Sequence, residues 1–532
     1  MPRWFFKTRQ PDRAAEPDPA PRDELATAPT AEETTLLPAQ ILVDNFRAVT
    51  KALTDEGIQS WLVSDETAIR SIVGVMAADR TALLRAFARL AELGYWVRLP
   101  NKVRPEAELA TFDLSELLTL SPVYVLFKRY ALPGSSMLIR GDYSCEVELW
   151  EERRADGIEY VAAPRENRAA KTLSADAFTL VPTTWHGVDA VTPQALRNRM
   201  LDDIVFPIDV VYTWVDDSDP EWRARRSEAE PDGQAFHPGA TDEARFVNRD
   251  ELRYSLRSIA SYAPWVRKIY LVTDRQVPAW LDLSNPRVQV VDHTDIFTNP
   301  GHLPTFNSNA IISSLHHIEG LSEHYIFMND DVFLGRWVPP SAFFTPFGQA
   351  KVSPARNRRS FGSARLAEEP HINLTHNMRD ILQDRFGVTI SRAVKHTPHP
   401  QIRSVVEEME SNFYAHFERT WSHRFRHHED IVADQFFHYY AQIIGRAVAI
   451  PIRYEYVDLK LGTRAQLMGL LKRRDRDVFC LNDTPHIGTD PISDQEVTDF
   501  LRAYFPLPSP FELSDPGALP VSPFSNEDGT GK

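Results

Sequence analysis

Cysteine is nearly missing from this sequence of 532 residues, which contains only Cys145 and Cys480. Two cysteines so far apart imply no disulfide framework, so a reducing cytosol is the expected environment. No apolar run approaches the ~20 residues of a membrane span. Residues 1–9 are basic and aromatic but lack the apolar core and cleavage site of a secretory signal. They either touch an anionic membrane surface or form a frayed terminus.

Positive charge is in deficit, since 59 Lys and Arg residues face 74 Asp and Glu residues and the net charge is −15. This balance argues against a general nucleic-acid surface, so no nucleic-acid partner is expected and an anionic substrate needs a local basic pocket. A hydrophobic content of 43% is typical of a soluble globular protein. The length predicts two or three domains.

Composition and periodicity divide the chain into four parts. Residues 1–38 are rich in Pro, Ala, Asp, Glu and Thr, which predicts a disordered leader, and residues 513–532 form a polar tail predicted to be disordered. Residues 39–201 alternate helical and extended patterns and predict a separate mixed α/β module in which no motif carries chemistry. Residues 206–512 form the fourth part, in which strand and helix patterns alternate at first and helical patterns follow.

A doubly wound α/β sheet is predicted within residues 206–335. Strand patterns at 208–214, 268–274, 288–292 and 325–328 alternate with helical patterns at 249–263 and 307–318. Residues 223–244 are polar with Gly and Pro and predict a mobile loop. Beyond residue 335 the pattern predicts helical additions at 375–386, 402–413, 431–445 and 494–504.

Acidic residues follow several of these predicted strands. They are Asp216, Asp217, Asp274, Asp330 and Asp331. Sites in doubly wound sheets form at the carboxyl ends of strands, so these side chains are expected to converge. Adjacent carboxylates repel unless a cation or proton lies between them, and oxygen ligands suit Mg²⁺ or Mn²⁺. The alternative is that residues 329–331 form a turn for local reasons.

A basic cluster stands out in this acidic chain. It consists of Lys351, Arg356, Arg358, Arg359 and Arg365. A local positive loop either binds phosphate or is an ordinary set of exposed arginines, and the sequence leaves both open.

Four sequence blocks together resemble the Stealth family. That family includes bacterial capsular polysaccharide phosphotransferases and the animal N-acetylglucosamine-1-phosphotransferase. The blocks are I-D-V-V-Y-T-W-V-D-D-S-D-P at 208–220, the segment 245–335 that ends in N-D-D-V-F-L-G, the segment 375–430 with T-H-N, H-T-P-H and F-R-H-H-E-D, and 479–512 with C-L-N-D-T. The resemblance covers about residues 206–512, which it implies are the catalytic domain, and does not include the amino-terminal module. Asp217 is a departure, because many members carry Gly there.

The resemblance implies a nucleotide-sugar-binding, glycosyltransferase A-like sheet. It implies transfer of a hexose 1-phosphate from a UDP-sugar, commonly a UDP-N-acetylhexosamine, to a hydroxyl of an acceptor sugar, with UMP released, in capsular or cell-surface polysaccharide synthesis. The implied partners are a nucleotide-sugar donor and a carbohydrate acceptor, the implied cofactor is Mg²⁺ or Mn²⁺, and the implied location is the bacterial cytoplasm. Peripheral attachment to the inner face of the plasma membrane, an export complex and a homo-oligomer all stay open.

Motif matching also implies the site residues. Asp330 and Asp331 are the expected metal ligands. The expected catalytic residues are Asp331, His396, His399 and Arg426, with a histidine as base or nucleophile. The expected substrate-binding residues are Asp209, Tyr212, Trp214, Asp216, Arg249, Arg253, Asn307, Asn309 and Asn329.

Several of these residues also have a structural explanation. Arg249 and Arg253 can form ion pairs on a helix surface. Asp209 can be a hydrogen-bonded carboxylate inside the sheet, and buried strand aromatics such as Tyr212 and Trp214 belong more often to a core. Two rival functions are a metal-dependent glycosyltransferase that releases UDP and a non-catalytic polysaccharide-binding protein.

Overall fold

The computed structural model describes residues 36–63, 69–100, 105–131, 138–139, 141–230, 248–461, 463–483 and 491–514. The predicted leader before residue 36 and the predicted tail after residue 514 lie outside this set. So does the greater part of the predicted loop at 223–244.

The amino-terminal part of the chain builds its own sheet. Six strands run in the order β1-β2-β8-β5-β3-β4, and β9 and β10 extend it from the end of β8. The strands are β1 (Ser60–Leu62), β2 (Ser71–Met76), β3 (Trp96–Arg98), β4 (Ala107–Glu108), β5 (Val123–Phe127), β6 (Tyr130–Ala131), β7 (Leu138–Ile139), β8 (Cys145–Ala155), β9 (Ile158–Ala162), β10 (Thr172–Ser174), β11 (Leu180–Trp185) and β12 (Val188–Pro193). The helices are α1 (Pro38–Asp55), α2 (Arg80–Glu92), α3 (Leu114–Leu120) and α4 (Gln194–Arg197).

Helix α2 shows why this part folds as predicted. Its buried residues are Leu83, Ala86, Phe87 and Leu90, which recur at the spacing of one helical face. They join the core formed with α1 and the sheet. The predicted mixed α/β character of this part is therefore confirmed, although its domain boundaries remain a prediction.

A five-stranded sheet organises the second part of the chain. Its order is β15-β14-β13-β16-β21, from β13 (Ile208–Thr213), β14 (Ile269–Thr273), β15 (Val288–Asp292), β16 (His324–Met328) and β21 (His399–Ile402). The first four strands are parallel, and β21 is antiparallel to β16. The central strands are apolar and buried, as expected for a parallel sheet covered on both faces. The predicted doubly wound sheet is confirmed.

Helices precede, separate and follow the strands of this sheet along the chain. They are α5 (Pro220–Ala229), α6 (Glu251–Tyr262), α7 (His293–Ile296), α8 (Ser308–Ile312), α9 (Pro370–Phe386), α10 (Arg403–Asn412), α11 (Tyr414–Ser422), α12 (Ala433–Ile443), α13 (Arg464–Arg473) and α14 (Asp494–Tyr504). The remaining strands are β17 (Val332–Leu334), β18 (Ala350–Val352), β19 (Pro354–Arg358), β20 (Arg392–Val394), β22 (Ala447–Ala449), β23 (Tyr454–Asp458) and β24 (Val478–Asn482).

Two local predictions were wrong. Residues 223–229 are helical, because Asp219 caps the amide of Glu221 and Pro220 occupies the first turn of α5. The helix predicted at 307–318 ends at Ile312, and a 3₁₀ turn at Leu315–His317 follows.

A small second sheet continues from the end of β16. Strand β17 follows the N-D-D segment directly and pairs antiparallel with β24, which pairs in turn with β23. In this register Val332 lies opposite Cys480. Residues from the carboxyl-terminal part are thereby brought to the end of the central strand.

The two parts of the chain are in contact. Ile41 of α1, Ile139 of β7 and Leu507 form a shared buried cluster. Among the described residues, every helix is too short or too polar to cross a membrane.

Candidate active site

Strand β16 ends at Met328, and the next three residues turn the chain into β17. The amide of Val332 donates to the carbonyl of Asn329 at 3.2 Å, so the segment forms a turn. Asn329, Asp330 and Asp331 are all partly exposed. The turn also places both carboxylates at the carboxyl end of the central sheet, where ligands bind in doubly wound folds.

The Asp331 carboxylate is held by three side chains from distant segments. One oxygen lies 3.0 Å from Nε2 of His396, and the other accepts from Nδ2 of Asn482 at 3.0 Å. The Cys480 thiol lies 3.4 Å from that second oxygen. Nε2 of His396 also lies 3.2 Å from the side-chain nitrogen Nδ2 of Asn329.

The charges of Asp331 and His396 stabilise each other. Burial opposes ionisation of Asp331, but His396 and the hydrogen bonds from His396, Asn482 and Cys480 outweigh it and lower its pKa. Burial likewise opposes protonation of His396, yet the neighbouring Asp331 raises its pKa. Burial and Asp331 raise the pKa of the Cys480 thiol well above its ordinary value, so this thiol acts as a neutral hydrogen-bond donor.

Asp330 has the opposite environment. Burial, Asp331 and the buried Glu251 of α6 raise its pKa to about 8. Burial also raises the pKa of Glu251. The carboxylates of Asp330 and Asp331 are oxygen donors of the kind that Mg²⁺ or Mn²⁺ prefers, and a bound cation would offset the repulsion between these two neighbours. Asp331, His396 and Cys480 also bring ligand atoms within 4.8 Å of one another.

His399 lies apart from this pair. It is buried in β21, its Nδ1 lies 2.6 Å from a carboxylate oxygen of Asp434, and its Nε2 lies 2.8 Å from the carbonyl of Lys395. Both ring nitrogens are therefore engaged within the fold. The bond to Lys395 fixes the turn that carries His396.

Arg426 lies on a second loop, between α11 and α12. Its Nη2 donates to the hydroxyl of Ser308 in α8 at 2.5 Å. Phe425 beside it stacks on Phe306 at 5.4 Å, and Phe306 contacts Trp222 of α5. Since α5 follows the carboxyl end of β13, this loop lies at the same edge of the sheet as the N-D-D turn.

Asp430 fixes the loop of Arg426. This carboxylate is fully buried and accepts from Nδ2 of Asn307 at 2.8 Å and of Asn309 at 3.1 Å. It also accepts from the amide of His427 and lies 2.8 Å from Nδ1 of His423. Asn307 and Asn309 thus hold this loop in place.

Tyr212, Trp214 and Asp216 follow one another along β13 and its end. The Tyr212 hydroxyl is 2.8 Å from that of Ser255, and its ring is fully buried. Trp214 is 8% exposed and belongs to the core. Asp216 is partly exposed, and its amide donates to Gln276.

Three predicted binding residues lie in other ionic contacts. Asp209 is buried near the amino end of β13, where it pairs with Arg267 at 2.5 Å. Arg249 contacts three carboxylates: Asp483 at 2.6 Å, Asp494 at 2.5 Å and Glu251 at 3.3 Å. Arg253 pairs with Glu512 at 2.6 Å. The structure therefore does not bring Asp209 to the Asp331 pair, and these arginines have carboxylate partners already.

Sequence reasoning did not select several residues of the site. These are Glu251, Asp430, Asp434, Cys480 and Asn482. All five lie in or close to the blocks quoted above, and that proximity was the only signal for them.

Four family models match this chain. They are Stealth protein conserved region 1 at residues 206–234, region 2 at 245–352, region 3 at 395–442 and region 4 at 468–519. An exopolysaccharide phosphotransferase of Streptomyces coelicolor is 39% identical over 91% of this chain and 84% of its own length. The chain belongs to the Stealth family. Exopolysaccharide phosphotransferase CpsY of Mycobacterium tuberculosis, which is 34% identical, matches this Stealth protein over 90% of both chains.

Solved structures resemble the Stealth protein only weakly. Galactosyltransferase LgtC, in complex with donor and acceptor sugar analogues, overlaps 55% of this chain and 95% of its own with 10% identity and a TM-score of 0.26. Mouse xyloside xylosyltransferase 1 gives the same identity and TM-score over 52% of this chain. Overlap at this level does not bear on the activity.

Proposed function

We propose that this Stealth protein transfers a hexose 1-phosphate from a UDP-sugar, of the UDP-N-acetylhexosamine class, to a hydroxyl of an acceptor sugar in exopolysaccharide synthesis. The observation that carries the proposal is the pair of His396 and Asp331, 3.0 Å apart at the carboxyl end of the central strand. The names of the curated relatives, which are exopolysaccharide phosphotransferases, support the same class of reaction.

In this reaction the acceptor oxygen forms a bond to the phosphorus that carries the sugar. The bond from that phosphorus to the bridging oxygen breaks, and UMP leaves. His396 takes the proton of the acceptor hydroxyl, and Asp331 orients the imidazole and stabilises its charged form. In the alternative route His396 attacks the phosphorus first, and the acceptor then displaces it from a phospho-enzyme.

Two further groups complete the proposed site. Asp330 and Asp331 would hold Mg²⁺ or Mn²⁺, which neutralises pyrophosphate charge when bound. Arg426 would donate to the oxygens of the transferring phosphate, because a guanidinium pairs with phosphate in two-pronged fashion. Asn307, Asn309 and Asp430 would position Arg426 by fixing its loop, and His399 would position His396.

The proposed partners are a nucleotide-sugar donor and a carbohydrate acceptor, and the proposed location is the bacterial cytoplasm or the inner face of the plasma membrane.

Product analysis tests this proposal. The protein is incubated with UDP-N-acetylglucosamine, Mg²⁺ and a panel of acceptor sugars. Chromatography then separates UMP from UDP, and ³¹P NMR follows new phosphodiester signals. UMP with a phosphodiester, both lost in His396→Gln and Asp331→Asn, is the expected result. Release of UDP without a phosphodiester would instead assign a glycosyltransferase. Binding without release of any nucleotide would leave a binding protein.

A phospho-enzyme test separates the two routes for His396. Donor with ³²P in the phosphate next to the sugar is mixed with enzyme in the absence of acceptor, and the protein is isolated at alkaline pH. Label retained by the wild type and missing from His396→Gln indicates the covalent route, whereas unlabelled wild type indicates general-base catalysis.

A further inference from the structure

The strand pair β19 and β20 carries the cationic residues that the proposed chemistry leaves unused. We call Arg356, Arg358, Arg392 and Lys395 the cationic ribbon. Its three arginines are exposed, and Lys395 is partly exposed. Arg358 lies directly opposite Arg392 in the antiparallel register. Like charges directly opposite each other destabilise a strand pair, so this arrangement needs a compensating interaction.

Carboxylates do not supply that interaction. Within the described part of the chain, the four ribbon residues form no ion pair, and Arg358 donates to the Ser391 hydroxyl at 2.8 Å. Lys395 lies 5.9 Å from the ring of Tyr454. Burial and the nearby Arg356 lower the pKa of Lys395, which is the direction expected for a cation without a counter-charge.

Two neighbouring arginines show the same deficit. Nε of Arg359 and Nη2 of Arg379 are buried and have no hydrogen-bond partner in the described structure. Arg379 is only 5% exposed, and its guanidinium lies 4.0 Å from the ring centre of Phe361. These two guanidinium groups add to the positive charge beside the ribbon.

The ribbon is continuous with the candidate active site. Lys395 directly precedes His396, and His396 contacts Asp331. Tyr454, which lies next to Lys395, begins β23 beside β24, the strand that supplies Cys480 and Asn482. A ligand that reaches the catalytic pair along this side therefore passes the ribbon.

We propose that the cationic ribbon binds phosphoryl oxyanions of a substrate and guides them to His396. Arginine forks match phosphate oxygens, and a local positive strip meets an anionic ligand that the net charge of −15 would otherwise repel. This inference rests on the proposed function for its two sources of such groups. One is the pyrophosphate of the donor, and the other is the phosphodiester groups of an acceptor chain that has already been extended.

Binding measurements with the full chain test the ribbon. The variant is Arg356→Gln with Arg358→Gln, and the probes are UDP and a short oligo(glycerol phosphate), with a neutral dextran oligomer for comparison. The single-site control is Arg365→Gln, which removes one positive charge from the same segment outside the ribbon, where Arg365 pairs with Glu368 at 3.3 Å. Titration calorimetry is run at low and at physiological salt. Circular dichroism and thermal unfolding check that both variants are folded.

The double variant is expected to bind one of the two phosphoryl probes about five- to tenfold more weakly, with a smaller salt dependence, while Arg365→Gln binds as the wild type does. Weaker binding of UDP assigns the ribbon to the donor pyrophosphate, and weaker binding of oligo(glycerol phosphate) assigns it to the acceptor chain. Unchanged binding of both probes, or no binding of either to the wild type, overturns the proposal. Because binding is measured without turnover, this result is independent of whether product analysis finds UMP.

Discussion

Replacing Asp330 with Asn should stabilise this protein when no divalent cation is present. The pKa of Asp330 is raised to about 8 by burial, Asp331 and Glu251. In the unfolded chain this carboxyl ionises near pH 4. Between these two pH values the folded state retains a proton that the unfolded state has lost. The contribution of Asp330 to folding stability therefore falls as the pH rises through this window.

The size of the effect follows from that shift. One pKa unit corresponds to about 1.4 kcal/mol, so the full shift would amount to roughly 6 kcal/mol. Asp330 is partly exposed and its titration is coupled to Asp331 and Glu251, which reduces the figure to about 1–3 kcal/mol. For a domain of this size that corresponds to an increase in Tm of about 2–5 °C at pH 8 in EDTA.

Asp331→Asn is the matched control, because it makes the same change one residue away. Asp331 accepts from His396, Asn482 and Cys480, and its pKa is lowered. An amide there would lose charge-assisted hydrogen bonds, so this variant should be destabilised by about 1–3 kcal/mol. The two neighbouring substitutions are thus expected to shift Tm in opposite directions.

Calorimetric scans with EDTA and with Mg²⁺ measure both effects. Mg²⁺ at 100 times its Kd should stabilise the wild type by about 2.7 kcal/mol and should stabilise Asp330→Asn far less. Activity should be lost in both variants. A lower Tm for Asp330→Asn in EDTA, or an unchanged response to Mg²⁺, would refute the assignment of Asp330 as an uncompensated metal ligand.

Three further outcomes are expected. If His396 is the base, kcat/KM rises with pH through an inflection above the ordinary histidine pKa of about 6.5, because Asp331 outweighs burial and raises the pKa of His396. In any residual activity of Asp331→Asn the inflection moves to lower pH. A kcat/KM that falls over the same pH range contradicts the role of His396 as a base. Asp430→Ala should lower the free energy of unfolding in urea by about 2–4 kcal/mol, because it leaves the buried side-chain amides of Asn307 and Asn309 unpaired. The control is Glu429→Ala at the neighbouring, more exposed residue, which should change the free energy of unfolding by less than about 0.5 kcal/mol. Arg249→Gln should lower Tm without a specific effect on the KM for the donor, because Arg249 already contacts three carboxylates. An unchanged Tm with a raised KM for the donor would place Arg249 at the substrate.

The central sheet could be predicted because each strand is a short, nearly continuous apolar run followed by polar residues. Burial on both faces leaves such a signal in the local sequence. The helix α5 was missed because its residues are polar almost throughout, with Trp222 as the one buried side chain. The sequence feature that indicates the start of α5 is the helix cap formed by Asp219 and Pro220. The Gly and Pro residues that follow this helix favoured a loop over the whole segment.

The partners of Asp331 could not be predicted from local patterns. Asn482 and Cys480 reach Asp331 because β17 pairs with β24 in a register set by the packing of strands about 150 residues apart in sequence. His399 illustrates the converse. Motif matching placed it with His396, but a histidine's surroundings decide its chemistry, and both of its ring nitrogens are engaged inside the fold.

The adjacent carboxylates at residues 330 and 331 have opposite environments within a single turn. Asp331 accepts from three donors, so its charge is stabilised, while Asp330 faces Glu251 and Asp331 and resists ionisation. When the surroundings shift the pKa values of two titratable groups in one site in opposite directions, the two groups take different chemical roles. The stabilised charge of Asp331 suits a fixed partner that orients His396. The carboxyl group of Asp330, which resists ionisation, suits a metal ligand that ionises when a cation arrives with the substrate.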